Sequence, residues 1–343
     1  MVREIPAGSV RSVIEYDDVP AARPLAAPAR PATGDQYVIR HGGAVARVGQ
    51  VGAVLREFSV DGTHYTETWP EAETPPLSCG VVLMPWPNRV ADGRWTWNGT
   101  VQQLALTEPA RGNAIHGLLL DTAYRATGVD EGAVTLTASI YPRHGWPFTL
   151  DTAVTYALTD RGLRVTHEVT NVGSGRAVVG CGAHPYLRIG DVPTEELTLT
   201  LRAGSVFVTD DRLIPVDKRP LAGDLAALPT GVRLDDLDLD TGFADLRAVP
   251  ASDGDRATHF EHVLAAPDGR TLTLWADADF AYTIVFTPQG FPNDSSRGPA
   301  GVHRAIAVEP MTCPTNALNS GEGLISLEPG GTWRASWGLA PGE

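Results

Sequence analysis

Residues 163–170 read LRVTHEVT, a run in which side chains of two kinds alternate. Apolar side chains and one histidine hold one set of positions and polar side chains hold the other: Leu163, Val165, His167 and Val169 against Arg164, Thr166, Glu168 and Thr170. Successive side chains of a β-strand point to opposite faces of its sheet. The run therefore predicts a strand with one buried face.

The same two-residue period recurs along the chain, for example at Leu197, Leu199 and Leu201 and at Trp333, Ala335 and Trp337. Dipeptides typical of tight hairpin turns punctuate it: Asp61-Gly62, Asp92-Gly93, Asn98-Gly99, Asp253-Gly254 and Asp268-Gly269. No long amphipathic helix is predicted, and 36 glycines and 27 prolines favour short strands with many turns. The sequence thus predicts an all-β protein, a sandwich or barrel-like architecture.

Composition narrows the possible partners and the compartment. The net charge of −14 repels nucleic-acid backbones and anionic membrane surfaces, so we expect neither as a partner. The start of the chain lacks the apolar core of a signal peptide, and no run approaches membrane-spanning length. The three cysteines, Cys79, Cys181 and Cys313, form no CxxC pair and suggest neither disulfides nor a zinc site. A cytoplasmic location is expected.

A composition shift near the start predicts the domain organisation. Residues 20–34 read PAARPLAAPARPATG, a Pro/Ala-rich stretch with no apolar period. Alternating patterns begin at about Gln36 and continue without a second linker. We therefore predict a flexible arm over residues 1–35 and one β-sandwich domain over residues 36–343.

Several common catalytic motifs are absent. The sequence has no GxxxxGK[ST] phosphate loop and no GxSxG nucleophile elbow. The run HFEH at residues 259–262 is not HExxH, and residues three apart in a strand face opposite sides, so a metal pair is not expected there. We expect His259 and His262 to be solvated or to lie in turns.

Five stretches set a polar or charged side chain among prolines, glycines or aromatic residues. They are MPWPNR at 84–89, NAIHG at 113–117, VVGCGAHPYLRIG at 178–190, LDTGF at 239–243 and VEPMTCP at 308–314. Each taken alone has an ordinary structural explanation: a surface ion pair for Arg89, turn caps for His116 and Asp240, and strand-end positions for His184 and Glu309. Their occurrence together, in this order, needs a further explanation.

The ordered set resembles the aldose 1-epimerase (galactose mutarotase) family. The resemblance rests on Asn88-Arg89, His116-Gly117, His184-Pro185-Tyr186, Asp240 with Phe243, and Glu309 with Pro314 and Asn319, and it extends from about Gly52 to Gly330. It implies a large antiparallel β-sandwich, or supersandwich, of the galactose mutarotase type. It also implies an isomerase that interconverts the α and β anomers of an aldohexose such as galactose or glucose, with no cofactor and no metal.

The residue types fit this reaction. Anomer exchange removes the proton of the anomeric hydroxyl and protonates the ring oxygen, so it needs one base and one acid on opposite sides of the hemiacetal. We assign Glu309 as the base and His184 as the acid, since histidine titrates near ~6.5 and burial raises a glutamate toward it. The small residues before His184 are expected to leave room for the sugar ring.

The remaining residues of the set are assigned to substrate binding. Arg89, through its planar donor fork, and His116 would stabilise charge on the ring oxygen and the adjacent hydroxyls. Asp240 would accept hydrogen bonds from sugar hydroxyls, with Asn88 and Tyr186 as secondary contacts. The expected partner is a small-molecule aldohexose, and the chain is expected to be a monomer or a homodimer.

Two alternatives stay open. A hexose-6-phosphate 1-epimerase would share the mechanism but would need further arginines at the phosphate, for which Arg94, Arg143 or Arg188 are candidates. A sugar-binding module without catalysis would keep the sandwich and would not need both His184 and Glu309. The preferred aldose is also open, because residues 282–286, YTIVF, are apolar where family members often have a glutamine.

Overall fold

The alternating run at residues 163–170 lies in a strand of ten residues, Gly162–Asn171, at the middle of a broad sheet. It pairs antiparallel with Leu150–Thr159, and buried and more exposed side chains alternate along both strands. His167 takes its place in the buried row, where Trp337 Nε1 donates to His167 Nε2 at 3.0 Å. Burial lowers the pKa of His167 to about 4, so this histidine is a neutral core residue.

A computed structural model describes residues 30–249, 259–293 and 301–342 of the chain. Its first fifteen strands are β1 Gln36–His41, β2 Ala44–Gly49, β3 Leu55–Val60, β4 Thr63–His64, β5 Val82–Leu83, β6 Arg89–Ala91, β7 Arg94–Trp97, β8 Thr100–Gln103, β9 Asn113–Ile115, β10 Arg125–Val129, β11 Ala133–Ile140, β12 Leu150–Thr159, β13 Gly162–Asn171, β14 Ala177–Val179 and β15 Gly182–Ala183. The later strands are β16 Tyr186–Leu187, β17 Thr198–Leu201, β18 Ser205–Thr209, β19 Pro215–Pro220, β20 Val232–Arg233, β21 Asp240–Ala244, β22 His259–Ala265, β23 Thr271–Asp277, β24 Tyr282–Phe286, β25 Phe291–Pro292, β26 Val302–His303, β27 Ile306–Met311, β28 Ile325–Leu327 and β29 Thr332–Gly342.

Helical structure is slight. Within the described residues the α-helix α1 spans Ala317–Ser320, and single 3₁₀ turns lie at Pro76–Ser78, Thr194–Glu196, Gly223–Leu225 and Leu234–Asp236. No helix in these parts of the chain has the length and apolar character needed to cross a membrane.

Two large antiparallel sheets dominate the fold. One has nine strands in the order β10-β11-β12-β13-β29-β23-β22-β17-β20. The other has the order β19-β18-β21-β24-β27-β15-β5, with β16 also pairing to β27, and a four-stranded sheet β1–β4 lies beside them. The large buried side chains include Trp146, Trp337, Tyr156 and Phe243. The prediction of a large antiparallel β-sandwich is therefore confirmed.

Asp61-Gly62 and Asn98-Gly99 close hairpins as the sequence predicts, whereas Asp92-Gly93 joins two strands that pair elsewhere, β6 with β9 and β7 with β8. Asp61-Gly62 joins β3 to β4, Asp92-Gly93 joins β6 to β7, and Asn98-Gly99 joins β7 to β8, with positive φ at both residues of each pair. Positive φ at two successive residues matches the right-handed twist of hairpin strands. Asp268-Gly269 joins β22 to β23, and Asp253-Gly254 lies outside the described residues.

The prediction for the HFEH histidines is wrong. Both His259 and His262 lie on β22 and are buried, at 7% and 3% exposure. Each ring has a polar partner, Glu261 Oε1 at 3.0 Å for His259 and Thr283 Oγ1 at 3.0 Å for His262. The alternation of strand side chains keeps the two rings on opposite faces, as the sequence indicates.

The predicted arm over residues 1–35 lies mostly outside the described residues. Its last residues, which are described, already attach to the domain. Ala32 N donates to Glu71 O at 2.8 Å, Val51 N donates to Thr33 O at 2.9 Å, and Thr33 is fully buried. Residues 32–35 are thus part of the folded domain, and the described residues from Pro31 onward form one compact unit.

This attachment gives a truncation test. A chain beginning at Arg30 should have the same unfolding free energy as the full chain, because the Pro/Ala-rich stretch has no apolar pattern with which to form a core. A chain beginning at Gln36 should lose about 2–3 kcal/mol of unfolding free energy, since it lacks the backbone hydrogen bonds of residues 32–35. Chemical denaturation measures both values. Equal stability of the two truncated chains would contradict the attachment.

Candidate active site

His184 and Glu309 lie next to each other in the second large sheet, which has eight strands including β16. Gly182 of β15 pairs with Met311 and Tyr186 of β16 pairs with Ala307, so the continued register sets His184 opposite Glu309. His184 Nε2 lies 3.4 Å from Glu309 Oε1, and the two residues are 4% and 1% exposed. The two predicted catalytic residues are thus in contact with each other, whereas we expected them on opposite sides of the hemiacetal.

Burial controls the charge of this pair. Desolvation raises the pKa of Glu309 well above its usual value, and the nearby Asp240 raises it further while Arg89 opposes the shift. Desolvation, with a smaller effect of the Arg89 charge, lowers the pKa of His184 to about 4. The expectation that His184 titrates near the ordinary histidine value is therefore wrong, because the ring has lost its solvent.

The small residues before His184 have a different role from the one predicted. A Cβ added at Gly180 would collide with Cys313 Sγ and would lie 2.9 Å from Pro87 Cδ. A Cβ added at Gly182 would lie 3.0 Å from Pro87 Cβ and 3.2 Å from Pro310 O. The glycines therefore allow other parts of this chain to pack closely, and the expectation that they make room for the sugar is not supported.

Two aromatic rings flank His184. The His116 ring meets it edge to face, with centroids 5.4 Å apart, and the Tyr186 ring stacks on it at 5.2 Å. Burial lowers the pKa of His116 well below its usual value, and His184 and Arg89 add to the shift. Tyr186 is fully buried and donates its hydroxyl to Leu77 O at 3.3 Å. The stacked ring therefore supports His184 from within the protein.

Asn88 shapes the turn that delivers Arg89. Its φ of 55° lies in the left-handed region, where asparagine is better tolerated than most residues. Its Oδ1 accepts hydrogen bonds from Arg89 N and from Thr315 Oγ1, both at 2.9 Å. His116 also has a positive φ, 63°, and its N donates to Asn88 O at 3.0 Å. The segments that carry Asn88 and His116 are thereby tied together beside His184 and Glu309.

Arg89 contacts two carboxylates. Its Nη2 lies 3.5 Å from Asp240 Oδ2, which places the predicted residues Arg89 and Asp240 together. Its Nε and Nη2 donate to the two oxygens of Glu108, at 3.0 and 3.1 Å. The donor fork that we assigned to the sugar is thus already occupied by Glu108. The sequence does not single out Glu108, because a glutamate in a polar turn is usually solvated.

The arginines proposed for a sugar phosphate do not join this group. Arg188 is fully buried, and its Nη1 and Nη2 lie 3.7 Å from Glu67 and 3.3 Å from Asp191. Arg94 and Arg143 are exposed. In the described parts of the chain, neither Arg94 nor Arg143 forms a hydrogen bond or an ion pair with His184 or Glu309.

The apolar strand noted in the sequence borders the same group. Ile284 of β24 pairs directly with Glu309 of β27, and it is 4% exposed. On its other side it pairs with Gly242 of β21, two residues after Asp240. A hydrocarbon side chain therefore stands beside the carboxyl group on this side.

Comparison with known proteins places the chain in a family. The sequence profile of the aldose 1-epimerase family matches residues 35–339. The chain belongs to the aldose 1-epimerase family. It is 31% identical over 286 residues to the uncharacterized protein YihR of Escherichia coli K12, a match that covers 82% of this chain and 84% of that protein.

Crystal structures of other proteins share the aldose 1-epimerase fold. A putative aldose 1-epimerase from Escherichia coli K12 superimposes with a TM-score of 0.74 at 18% identity, covering 90% of this chain and 99% of that one. An aldose epimerase homologue from Caenorhabditis elegans gives a TM-score of 0.75 at 16% identity, covering 89% and 98%. A galactose 1-epimerase from Lactobacillus acidophilus gives 0.67 at 19% identity, covering 89% and 93%.

The packing at the glycines before His184 gives a stability test. Gly180→Ala should cost about 1–3 kcal/mol of unfolding free energy, because the added methyl group overlaps Cys313 and Pro87. Gly175→Ala is the matched control, since a Cβ there meets no atom within 4 Å. Denaturant unfolding compares the two. A Gly180→Ala variant as stable as Gly175→Ala would show that this region has spare room.

Proposed function

We propose that this chain is an aldose 1-epimerase acting on an unphosphorylated aldohexose such as galactose or glucose, with His184 and Glu309 as its acid and base. The observation that supports this most strongly is the contact of the two side chains at 3.4 Å, both buried. A carboxyl and an imidazole in contact and shielded from water, with pKa values shifted in opposite directions, are typical of acid–base catalysis.

In the proposed reaction Glu309 accepts the proton of the anomeric hydroxyl while His184 gives a proton to the ring oxygen. The bond between C1 and the ring oxygen breaks, and an open-chain aldehyde with a free hydroxyl forms. Rotation about the bond between C1 and C2 exposes the other face of the aldehyde. His184 then takes the hydroxyl proton as its oxygen attacks C1, and Glu309 returns its proton to the carbonyl oxygen. Every proton is restored at the end.

The pKa shifts of Glu309 and His184 favour the protonation state that the pair has midway through the reaction, when the sugar ring is open. With one proton on the pair, burial favours a protonated Glu309 and a neutral His184. That is the protonation state of the pair when the sugar is open. An enzyme gains rate from interactions that favour the reaction's high-energy states over the bound substrate. We infer that the dry site stabilises the ring-opened state relative to the closed sugar.

A sugar phosphate is a poorer fit than a free sugar. Glu108 and Asp240 already face Arg89, and Arg188 is paired with Glu67 and Asp191. A phosphate group brought to this site would meet carboxylates before it met an uncommitted arginine. A binding module without catalysis would have no use for a buried carboxyl next to a buried imidazole, which is costly to desolvate.

Substitution of the pair tests the activity. Glu309→Gln removes the base and His184→Asn removes the acid, so each should lower the rate of galactose or glucose mutarotation at least about a hundredfold. Polarimetry in a buffer with a chelator, against the spontaneous rate, measures this, and we expect no metal requirement. The double variant should be little slower than the slower single variant. A single variant within a few-fold of wild type, with its fold intact, would remove that residue from the mechanism.

The pair also predicts a pH profile. Activity needs one proton on the pair, so it should fall on the acid side only as His184 gains a second proton, at about pH 4. On the alkaline side it should fall when the shared proton is lost, at a pH set by the raised pKa of Glu309. The acid-side fall in the rate, corrected for the spontaneous reaction, should thus have its midpoint at about pH 4. An acid-side midpoint near pH 6.5 would contradict the lowered pKa of His184.

A further inference from the structure

Arg89 is held by a two-point contact on one edge of its guanidinium group. Nε donates to Glu108 Oε2 at 3.0 Å and Nη2 donates to Glu108 Oε1 at 3.1 Å. Parallel hydrogen bonds of this kind fix the plane of an arginine as well as its charge. The Glu108 side chain is only 14% exposed and that of Arg89 only 9%, so solvent screens the pair weakly.

Glu108 is itself held in place. Asn113 Nδ2 donates to its Oε2 at 2.9 Å, and Arg111 Nη1 donates to its Oε1 at 3.1 Å. Burial acts to raise the pKa of Glu108, but the hydrogen bonds from Arg89 and Asn113 and the charges of Arg89 and Arg111 leave it below its usual value. The carboxylate is therefore ionised at neutral pH, as a partner of Arg89 must be.

Asn113 connects this contact to a distant hairpin. Its Oδ1 accepts from Arg212 Nη2 at 3.1 Å, and its Nδ2 also donates to Arg212 O at 3.1 Å. Arg212 lies in the turn between β18 and β19, and its Nε donates to Arg111 O at 2.8 Å. Strand β18 pairs with β21, which carries Asp240. The loop that holds Glu108 is thus tied to the sheet that holds Asp240.

The arrangement leaves Asp240 only loosely engaged. Arg89 Nη2 lies 3.5 Å from Asp240 Oδ2, beyond good hydrogen-bond distance, whereas both Glu108 contacts are short. The Asp240 side chain remains 30% exposed. Without Glu108, the strongest partner available to the Nε and Nη2 donors of Arg89 would be Asp240. Two hydrogen bonds from these donors would occupy the oxygens of the Asp240 carboxylate.

We propose that Glu108 is a positioning residue that keeps Arg89 from forming a full two-point contact with Asp240. One N–H of Arg89 Nη1 donates to Asn88 Oδ1 at 3.4 Å, which leaves the other N–H of Nη1, together with Asp240, to bind sugar hydroxyls. The proposal rests on the proposed function for the identity of the ligand. Glu108 itself does not contact the sugar. It affects how tightly the sugar binds, and it does so through Arg89.

Glu108→Gln tests this with little change in shape. The amide keeps one oxygen but turns an NH₂ group toward the guanidinium, so the fork is lost. KM for galactose should rise at least about tenfold with a smaller change in kcat, and Glu108→Asp should recover part of the loss. Asp268→Asn is the matched control, because Asp268 forms a similar pair with Arg270 on an exposed turn. It should leave KM unchanged.

A double-mutant cycle separates positioning from a general structural effect. In an Arg89→Met background, Glu108→Gln should change kcat/KM by less than about threefold, because its partner is already gone. Effects that multiply in the double variant, or a Glu108→Gln enzyme with KM within twofold of wild type, would overturn the proposal.

A measurement without substrate keeps the proposal testable if the sugar is misassigned. The Nε proton of Arg89, assigned by its loss in Arg89→Met, should be slow to exchange with solvent in the wild-type chain and fast in Glu108→Gln. Equal exchange in both would overturn the positioning role even in an active enzyme. Wild-type protein that shows this protection but does not accelerate mutarotation would instead refute the proposed function.

Discussion

A carboxyl group and an imidazole lie 3.4 Å apart with almost no exposure to solvent, and the proposed chemistry depends on that contact. Two opposite charges at this distance attract strongly, but each also loses its hydration. Desolvation is the largest influence on both groups and favours the uncharged form of each. A single proton on Glu309 satisfies both preferences, and in the proposed mechanism it is the proton that the ring-opened sugar leaves on the enzyme.

The sheet supplies the rigidity that such a contact needs. Glu309 lies in β27, which has β24 on one side and the short strands β15 and β16 on the other. His184 lies between those two short strands, and Gly80 N donates to its carbonyl oxygen at 2.8 Å. A site built on paired strands holds its side chains more precisely than a site built on loops. Arg89, at the start of the short strand β6, is held by hydrogen bonds to Glu108 and Asn88, and His116, just after β9, donates its backbone N–H to Asn88 O.

Local sequence patterns account for most of the fold. Alternation at residues 163–170 and positive φ at Asp61-Gly62 follow from the geometry of single strands and turns, so the sequence predicts them directly. The site residues can also be found, because His184 and Glu309 stand beside prolines in otherwise apolar runs, in an order that resembles a known family. These features depend on neighbours in sequence.

The errors concern contacts between residues far apart in sequence. Position 180 needs a glycine because Pro87 and Cys313 pack against it. The burial of His262 depends on the strand that carries Thr283, and the Arg89 guanidinium group donates to Glu108. No local pattern reports such contacts. The lowered pKa of His184 is an error of the same kind, since it depends on how completely the folded chain excludes water from one ring.

The protonation state of His184 in the free enzyme tests the central claim most directly. Nitrogen-15 chemical shifts of the ring, assigned by their loss in His184→Asn, follow this residue alone through a titration. The shared-proton account predicts a neutral ring from pH 8 down to pH 5, with protonation only at about pH 4. A ring that takes up its proton near pH 6.5 would contradict it, because the free enzyme would then hold an ordinary, hydrated histidine at its centre.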